Sequence, residues 1–247
     1  TWAQNSRDNQ LTPWYNDPIC NPCVDNWYVR DEHSLALSSA SNQPIQDGGE
    51  YEVRHGWGYS VFSHHADHLH MESTHIVAQD APVKMVRLSI KNTGKQERKV
   101  SITSYIEWIL GNDKYESGLF ITTTFEHDFQ AITLSNPFST ECSENEAFVM
   151  FQNELDEWTT DRTEFLGRYG SPTNPRALAS NKPMKKRLGH RFDVCSAMQT
   201  KLTLQPNASH DIVLIFGYAN SHAHALTLMK RFKHAIFDVV LQQTKAC

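Results

Sequence analysis

The run Arg54-His55-Gly56-Trp57-Gly58-Tyr59 places a guanidinium, an indole and a phenol among two glycines. That set can hold a sugar: an aromatic face covers the apolar side of a pyranose, planar donors meet its hydroxyls, and backbone without Cβ comes close. Arg54, Trp57 and Tyr59 are therefore candidate sugar contacts. The same spacing also suits a strand that turns Trp57 and Tyr59 into a core, and the residues leave both readings open. A second polar cluster is His64, His65, His68, His70 and His75. His68 and His70 would share a strand face at a spacing that can ligate zinc, yet histidines at an exposed hairpin tip are ordinarily solvated, so no metal is expected. Cys20-Asn-Pro-Cys23 has redox or zinc spacing. No second such pair follows and no βαβ pattern surrounds it, so no cofactor is expected either. Glu107, Asp113, Asp156, Glu157 and Asp161 are acidic, but among 28 Asp and Glu no pair stands out as a general acid and base, and no catalytic residue is assigned.

These side chains need a frame, and the stretch Val83 to Gly111 supplies its centre. Val83, Met85, Arg87, Ser89 and Lys91 alternate with Lys84, Val86, Leu88 and Ile90, the period of a strand, with apolar residues on both faces. After Asn92-Thr93-Gly94 the alternation resumes through Val100, Ile102, Ser104, Ile106 and Trp108, which reads as a long β-hairpin at the middle of a large antiparallel sheet. Further strands are expected at Tyr51–His55, Trp57–Ser63, His68–Val77, Leu119–Phe125, Ala131–Ser135, Phe148–Gln152, Gln199–Leu204 and His210–Tyr218. From Ala223 to Lys245 the apolar residues Ala225, Leu228, Met229, Phe232, Ile236, Val239 and Val240 recur at steps of three and four, an amphipathic helix capped near Asn220-Ser221. The expected organisation is an irregular segment over 1–48, a sandwich over 49–220 and a helix over 221–247. Two loops interrupt it: 154–183, longer and richer in charged and aromatic residues than a turn needs, and the charged Gly111 to Gly118, GNDKYESG.

Net charge of −5 and a pI near 6.2 give no general attraction to phosphate backbones, so nucleic acid is a poor partner. The one basic run, Lys182 to Arg191, reads as a solvated loop. Mean hydropathy is −0.53 and no apolar run approaches the ~20 residues of a membrane span. Five cysteines are too few and too odd in number for a disulfide framework and fit a reducing compartment, so a cytoplasmic fragment is expected. The first residues lack the apolar core of a signal peptide, and without an initiating Met the chain reads as a piece of a longer protein.

Five segments in one order carry a family resemblance: WAQNSRDNQLTPWYNDP, YEVRHGWGYSVF, VRLSIKNTGKQERKVSITSYIEWILG, TTDRTEFLGRYGSPTNP and FGYANSHAHALTLMKRF. End to end, the chain resembles the N-terminal sandwich of the cellobiose and chitobiose phosphorylase family, and in particular the phosphorylase-like region of cyclic β-1,2-glucan synthases. The resemblance implies an all-β supersandwich of two large antiparallel sheets, similar to galactose mutarotase, with a C-terminal helix leading into an (α/α)6 catalytic barrel. It implies phosphorolysis in the whole enzyme, where a barrel carboxylic acid protonates the leaving oxygen while phosphate attacks. Neither that acid nor a phosphate site has a counterpart in this chain, so it is expected to be inactive alone. The resemblance further implies a β-linked glucan or oligosaccharide as ligand, a homodimer, a parent protein that can be membrane-associated, and a loop past the long central strand that reaches a partner's active site. The matching residues here are Asn112, Asp113, Lys114 and Tyr115. A free-standing carbohydrate-binding module and a mutarotase-like epimerase using a His and a carboxylate are the competing readings.

Overall fold

The computed structural model describes residues 1–15, 17, 19, 25–139 and 142–245. The readings placed on Cys20, Cys23 and Cys247 lie outside them. The described residues form thirteen strands: β1 (Asp25–Asp31), β2 (Leu37–Ser38), β3 (Tyr51–Gly56), β4 (Tyr59–Ala66), β5 (Leu69–Val77), β6 (Val83–Asn92), β7 (Arg98–Glu107), β8 (Thr122–Glu126), β9 (Ala131–Ser135), β10 (Glu146–Phe151), β11 (Glu157–Asp161), β12 (Val194–Leu204) and β13 (Ser209–Ala219). They also form four helices: α1 (Lys114–Ser117), α2 (Arg162–Leu166), α3 (His222–Lys233) and α4 (Phe237–Lys245). The strands make a five-stranded sheet in the order β11-β12-β7-β1-β2 and an eight-stranded sheet in the order β3-β4-β5-β6-β13-β10-β9-β8. Every pairing in both is antiparallel.

The Val83 to Gly111 stretch is not a hairpin. β6 pairs with β5 and β13 in one sheet, whereas β7 pairs with β1 and β12 in the other, so the Asn92 turn carries the chain across the sandwich. The physical reason lies in the apolar residues on both faces of each arm. Between the sheets, Val86, Leu88 and Ile90 of β6 meet Val100, Ile102 and Ile106 of β7. Behind the larger sheet, Val83 and Met85 pack under Leu228, Met229, Phe232, Phe237 and Leu241 of α3 and α4. Behind the smaller sheet, Tyr28 and Tyr105 are covered by Phe165, Leu166, Leu178 and Met184. Each arm is thus central to its own sheet and covered on both faces. Asn92 fixes the crossing: its Nδ2 donates to the carbonyls of Gln96 at 2.7 Å and Leu204 at 3.1 Å, and its Oδ1 accepts from the Gly94 amide at 2.9 Å.

Three other expectations change. Residues 1–48 are not all irregular, because β1, with its buried Trp27, Tyr28 and Val29, pairs along the whole of β7. The long loop over 154–183 contains β11 and α2 and is the lid of the smaller sheet, which accounts for its aromatic content. The terminal helix is two helices: Gln152 Nε2 donates to the carbonyls of Phe232 at 2.7 Å and Ala235 at 2.9 Å, satisfying backbone at the break without a continuing turn. Ser221 caps α3 by accepting from the His224 amide. Among the described residues no helix is long and apolar enough to cross a membrane.

Trp57 does not open a strand. It sits with Gly58 (φ +72°) at the turn between β3 and β4 and is 87% exposed, so the core reading of Trp57 is wrong. Trp57→Ala is accordingly expected to move stability by no more than about 0.5 kcal/mol, checked by urea denaturation.

Candidate functional site

The sugar-binding candidates fall in two places. β3 and β8 are the opposite edges of the eight-stranded sheet. Arg54, Trp57 and Tyr59 lie on the β3 side, next to α4. There Arg54 is held by Glu72 at 2.6 Å and Glu52 at 3.5 Å. Tyr59 packs into the layer under α3 and α4, with the Lys245 ammonium 4.6 Å above its ring. Gly56 is demanded here, since a Cβ would lie 2.1 Å from the Tyr59 ring. The Tyr59 face is therefore occupied, whereas the Trp57 indole and part of the Arg54 side chain remain open.

Asn112 to Tyr115 lie elsewhere, in the segment that runs from the end of β7, central in the five-stranded sheet, to β8 of the eight-stranded one. The chain leaves β7 through buried Trp108 and Ile109 and is strapped by the N-terminal segment: Ile109 N donates to Leu11 O at 3.0 Å, and Gln10 and Gly111 exchange backbone bonds at 2.9 and 3.1 Å. A Cβ at Gly111 would lie 2.4 Å from Ser117 Oγ, so a larger residue there would displace that hydroxyl. Asp113 then caps α1, its Oδ1 accepting from the amides of Tyr115 at 2.7 Å and Glu116 at 3.1 Å. One oxygen of its carboxylate is thus taken up by the cap.

Lys114 departs from the expectation that it projects from the rim. Its Nζ lies 2.7 Å from Glu107 Oε2 and 3.4 Å from Asp193 Oδ1, with 19% of the side chain exposed. Glu107 also accepts from Tyr105 Oη at 2.7 Å and Arg162 Nε at 2.9 Å. Burial works to raise the Glu107 pKa, but Lys114, Tyr105 and Arg162 together hold it below the usual carboxylate range. Burial works to lower the Lys114 pKa, and Glu107 raises it on balance. Burial pushes the neighbouring Cys195 thiol well up, with Glu107 adding to the shift, so it stays a neutral core group. Lys114 is an anchor for α1. Tyr115, 88% exposed, is the side chain of this loop that is free to reach outward.

Beside α1 opens a cleft of about 540 Å³ lined by Asp8, Asn112, Glu116, Ser117, Phe120, Asn136, Phe138 and Ser139, with Gly111 at its base. The residue after Gly118 was expected to begin a strand; instead Gly118–Phe120 is a 3-10 turn, and β8 begins only at Thr122. That turn swings Phe120 against Phe138, rings stacked at 4.1 Å and 10°, although the two are 41% and 70% exposed. Asn136 holds the far wall, donating from Nδ2 to Leu110 O at 2.9 Å and accepting at Oδ1 from the Phe138 amide at 3.1 Å. The cleft thus has an open aromatic plate, two amides, two carboxylates and two hydroxyls. Such a set can stack a sugar ring and bond its hydroxyls. Of the residues singled out in the sequence, only Asn112 lines it. Phe120, Asn136 and Phe138 were missed; the signal for them was an Asn-Pro-Phe turn with an aromatic in a loop, which no periodicity marks.

The clustered histidines have partners within the protein. His64 is buried, its Nδ1 2.8 Å from Glu50 O and its Nε2 2.9 Å from Asp47 Oδ2, while His65 and His70 stack at 4.2 Å. Among the described residues no group of His, Cys, Asp and Glu could hold a metal ion.

Residues 1–235 match the family described as "Glycosyl hydrolase 94, supersandwich domain". The chain is 30% identical over 247 residues to the cyclic beta-(1,2)-glucan synthase NdvB of Rhizobium meliloti (strain 1021), a match that covers all of this chain and 9% of that protein. It is 24% identical over 213 residues to the N,N'-diacetylchitobiose phosphorylase of Vibrio proteolyticus, covering 81% of this chain and 26% of the phosphorylase. Its fold is similar to part of a bacterial glucoamylase solved with acarbose, at a TM-score of 0.64, 4% identity, and coverage of 90% of this chain and 30% of that one. The chain spans a small part of each of these proteins.

Proposed function

The chain belongs to the glycosyl hydrolase 94 supersandwich family, and from that premise we propose that it is the non-catalytic sandwich domain of a cyclic β-1,2-glucan synthase-like or phosphorylase-like enzyme, which offers a sugar chain its rim cleft beside α1 and docks with a helical catalytic barrel. The observation that carries this reading is the exposed Phe120–Phe138 stack set among Asn112, Glu116 and Asn136. Two large rings left open to water are costly unless something covers them, and a pyranose face suits them. Tyr115, highly exposed, is the residue of this loop best placed to meet a partner subunit of a homodimer. No general acid is assigned, so the expected activity of the chain alone is nil. The proposed compartment is the cytoplasm, on the odd and sparse set of five cysteines.

Titration of the chain with β-1,2-gluco-oligosaccharides, followed by NMR, tests the cleft. The lone rim supplies part of a subsite, so the expected dissociation constant is near ~1 mM, or about 4 kcal/mol. Phe138→Ala should weaken it about tenfold or more, with the melting temperature unchanged because the ring is exposed. Binding of undiminished strength in that variant, or none by tens of millimolar, removes the cleft from the account and leaves a structural and assembly role. A parent gene that encodes this sandwich with no helical barrel, together with sugar binding by the chain, favours the free-standing binding module.

A further inference from the structure

Each sheet has two edges, and among the described residues β3 is the edge that is neither covered nor cut short. β2 is two residues long and offers little to pair with. The segment Lys186 to Gly189 covers the other two: Thr160 N of β11 donates to Arg187 O and Lys186 N to Trp158 O, both at 3.2 Å, while Thr123 N of β8 donates to Gly189 O at 2.9 Å. β3 has six residues, Tyr51-Glu52-Val53-Arg54-His55-Gly56. It holds no proline and no lysine, and its register against β4 runs without a bulge.

The pairing with β4 decides which backbone groups of β3 are left over. The turn Trp57-Gly58 closes on Gly56 opposite Tyr59, so that pair exchanges hydrogen bonds, and by alternation so do Arg54 with Val61 and Glu52 with Ser63. Tyr51, Val53 and His55 therefore aim their N–H and C=O groups away from the sheet, and among the described residues no backbone bond takes them up. Charged side chains ordinarily guard such an edge. Here they complement it. In an antiparallel pairing of β3 with itself centred on Val53, Val53 meets Val53 and Tyr51 meets His55 as bonded pairs, and Glu52 of each copy stands opposite Arg54 of the other at the closer, non-bonded positions. The Arg54 guanidinium lies 2.6 Å from Glu72 and 3.5 Å from Glu52 of its own chain, yet Arg54 and Glu52 are both more than half exposed and its remaining donors can take another carboxylate. Val53, about half exposed, supplies an apolar centre.

We propose that β3 is a self-pairing edge: two copies of this chain join antiparallel through it, about a two-fold axis at Val53, so that their eight-stranded sheets become one continuous sheet. Because the same strand serves both copies, the contact closes at two and does not run on into a fibre. Glu52 and Arg54 set the register, since a slip of two residues would put Glu52 against Glu52 or Arg54 against Arg54. The contact shares no residue with the loop that carries Tyr115, so it stands or falls apart from that loop.

Sedimentation velocity of the whole chain, from about 5 to 500 μM, is the test. A monomer–dimer equilibrium is expected, weak because one strand pairing buries less than a standard interface. The amides of Val53 and His55 should exchange more slowly at the upper concentrations. Glu52→Arg and Arg54→Glu should each weaken association about tenfold, since each sets like charges face to face. A mixture of the two variants should associate again, because every charge then meets its opposite; that rescue reads the register, and a loss of folding cannot mimic it. Tyr115→Ala should leave the dimer unchanged. A chain still monomeric at about 500 μM overturns the proposal. So does a dimer that Tyr115→Ala abolishes, or one that both charge variants form as well as the natural chain. A mixture that stays apart although both variants keep the melting temperature overturns it too. Slow exchange at Val53 and His55 in the monomer would do the same, by showing that another part of the chain covers the edge.

Discussion

Glu107→Ala is expected to destabilise the chain by about 3–5 kcal/mol, because it removes the shared anion of a half-buried network and strands its cations. Lys114 and Arg162 both bond Glu107, and Tyr105 Oη donates to it from within the core. Without the carboxylate, Tyr105 keeps a buried hydroxyl with no acceptor, and two cations face one another with only Asp193 nearby, at 3.4 and 3.5 Å. Chemical denaturation measures the loss. Amide hydrogen exchange should localise part of it, with Tyr115 to Ser117 opening faster because α1 has lost its anchor. A drop under about 1 kcal/mol would mean that the network is worth no more than a surface ion pair.

The second large effect is on pH. His75 is held down to about 3 from the ordinary histidine value of 6.5, first by burial and then by the Lys84 ammonium, with Asp25 opposing. The folded chain thus keeps His75 neutral while the unfolded chain protonates it. Its contribution is whole above pH 6.5 and drains as pH falls toward 3, at no more than about 1.4 kcal/mol per unit. Between pH 6.5 and 4.5 a loss of about 2–3 kcal/mol is expected. His70, lowered by burial and by His65, adds a smaller loss of the same sign. Carboxylates act in a lower window. Asp31 lies at about 2, where burial opposes and the Ser34 amide and Arg98 prevail, so its stabilisation is present above 3.8 and lost only below. Denaturation midpoints across this range should therefore fall well before the carboxylates titrate. His75→Gln should flatten the decline, and an unchanged slope in that variant would remove His75 as its source.

Alternation made the strands legible, and the two-faced apolar pattern of Val83 to Trp108 was legible too, but its consequence was not. A strand apolar on both faces asks for cover on both sides, and nothing local says whether its neighbour in sequence is also its neighbour in the sheet. The partners of β7 are β1 and β12, and β1 sat unnoticed in an aromatic stretch without visible period. At the rim, loop composition pointed to Asn112–Tyr115, whereas the side chains that make the cleft a cleft come from two separate loops brought together by Phe120 meeting Phe138. Lys114 looked like a free cation because its counter-ion, Glu107, is hidden seven residues back at the end of a strand.

The crossing at Asn92 also dictates when the chain can finish folding. β6 completes its pairing only with β13, Lys91 opposite Ser209, and β7 only with β12, Arg98 opposite Leu204. Both central ladders pair residues far apart in sequence, Glu107 with Cys195 at the near end of one and Lys91 with Ser209 at the near end of the other, which puts the sandwich among slow folders. During synthesis from the N-terminus, β6 and β7 emerge long before their last partners, and each of these central strands carries an open apolar edge for that interval. A ribosome stalled before residue 209 would expose the β6 edge, so such nascent chains are the ones a chaperone should hold, and release should follow once β13 has cleared the exit tunnel.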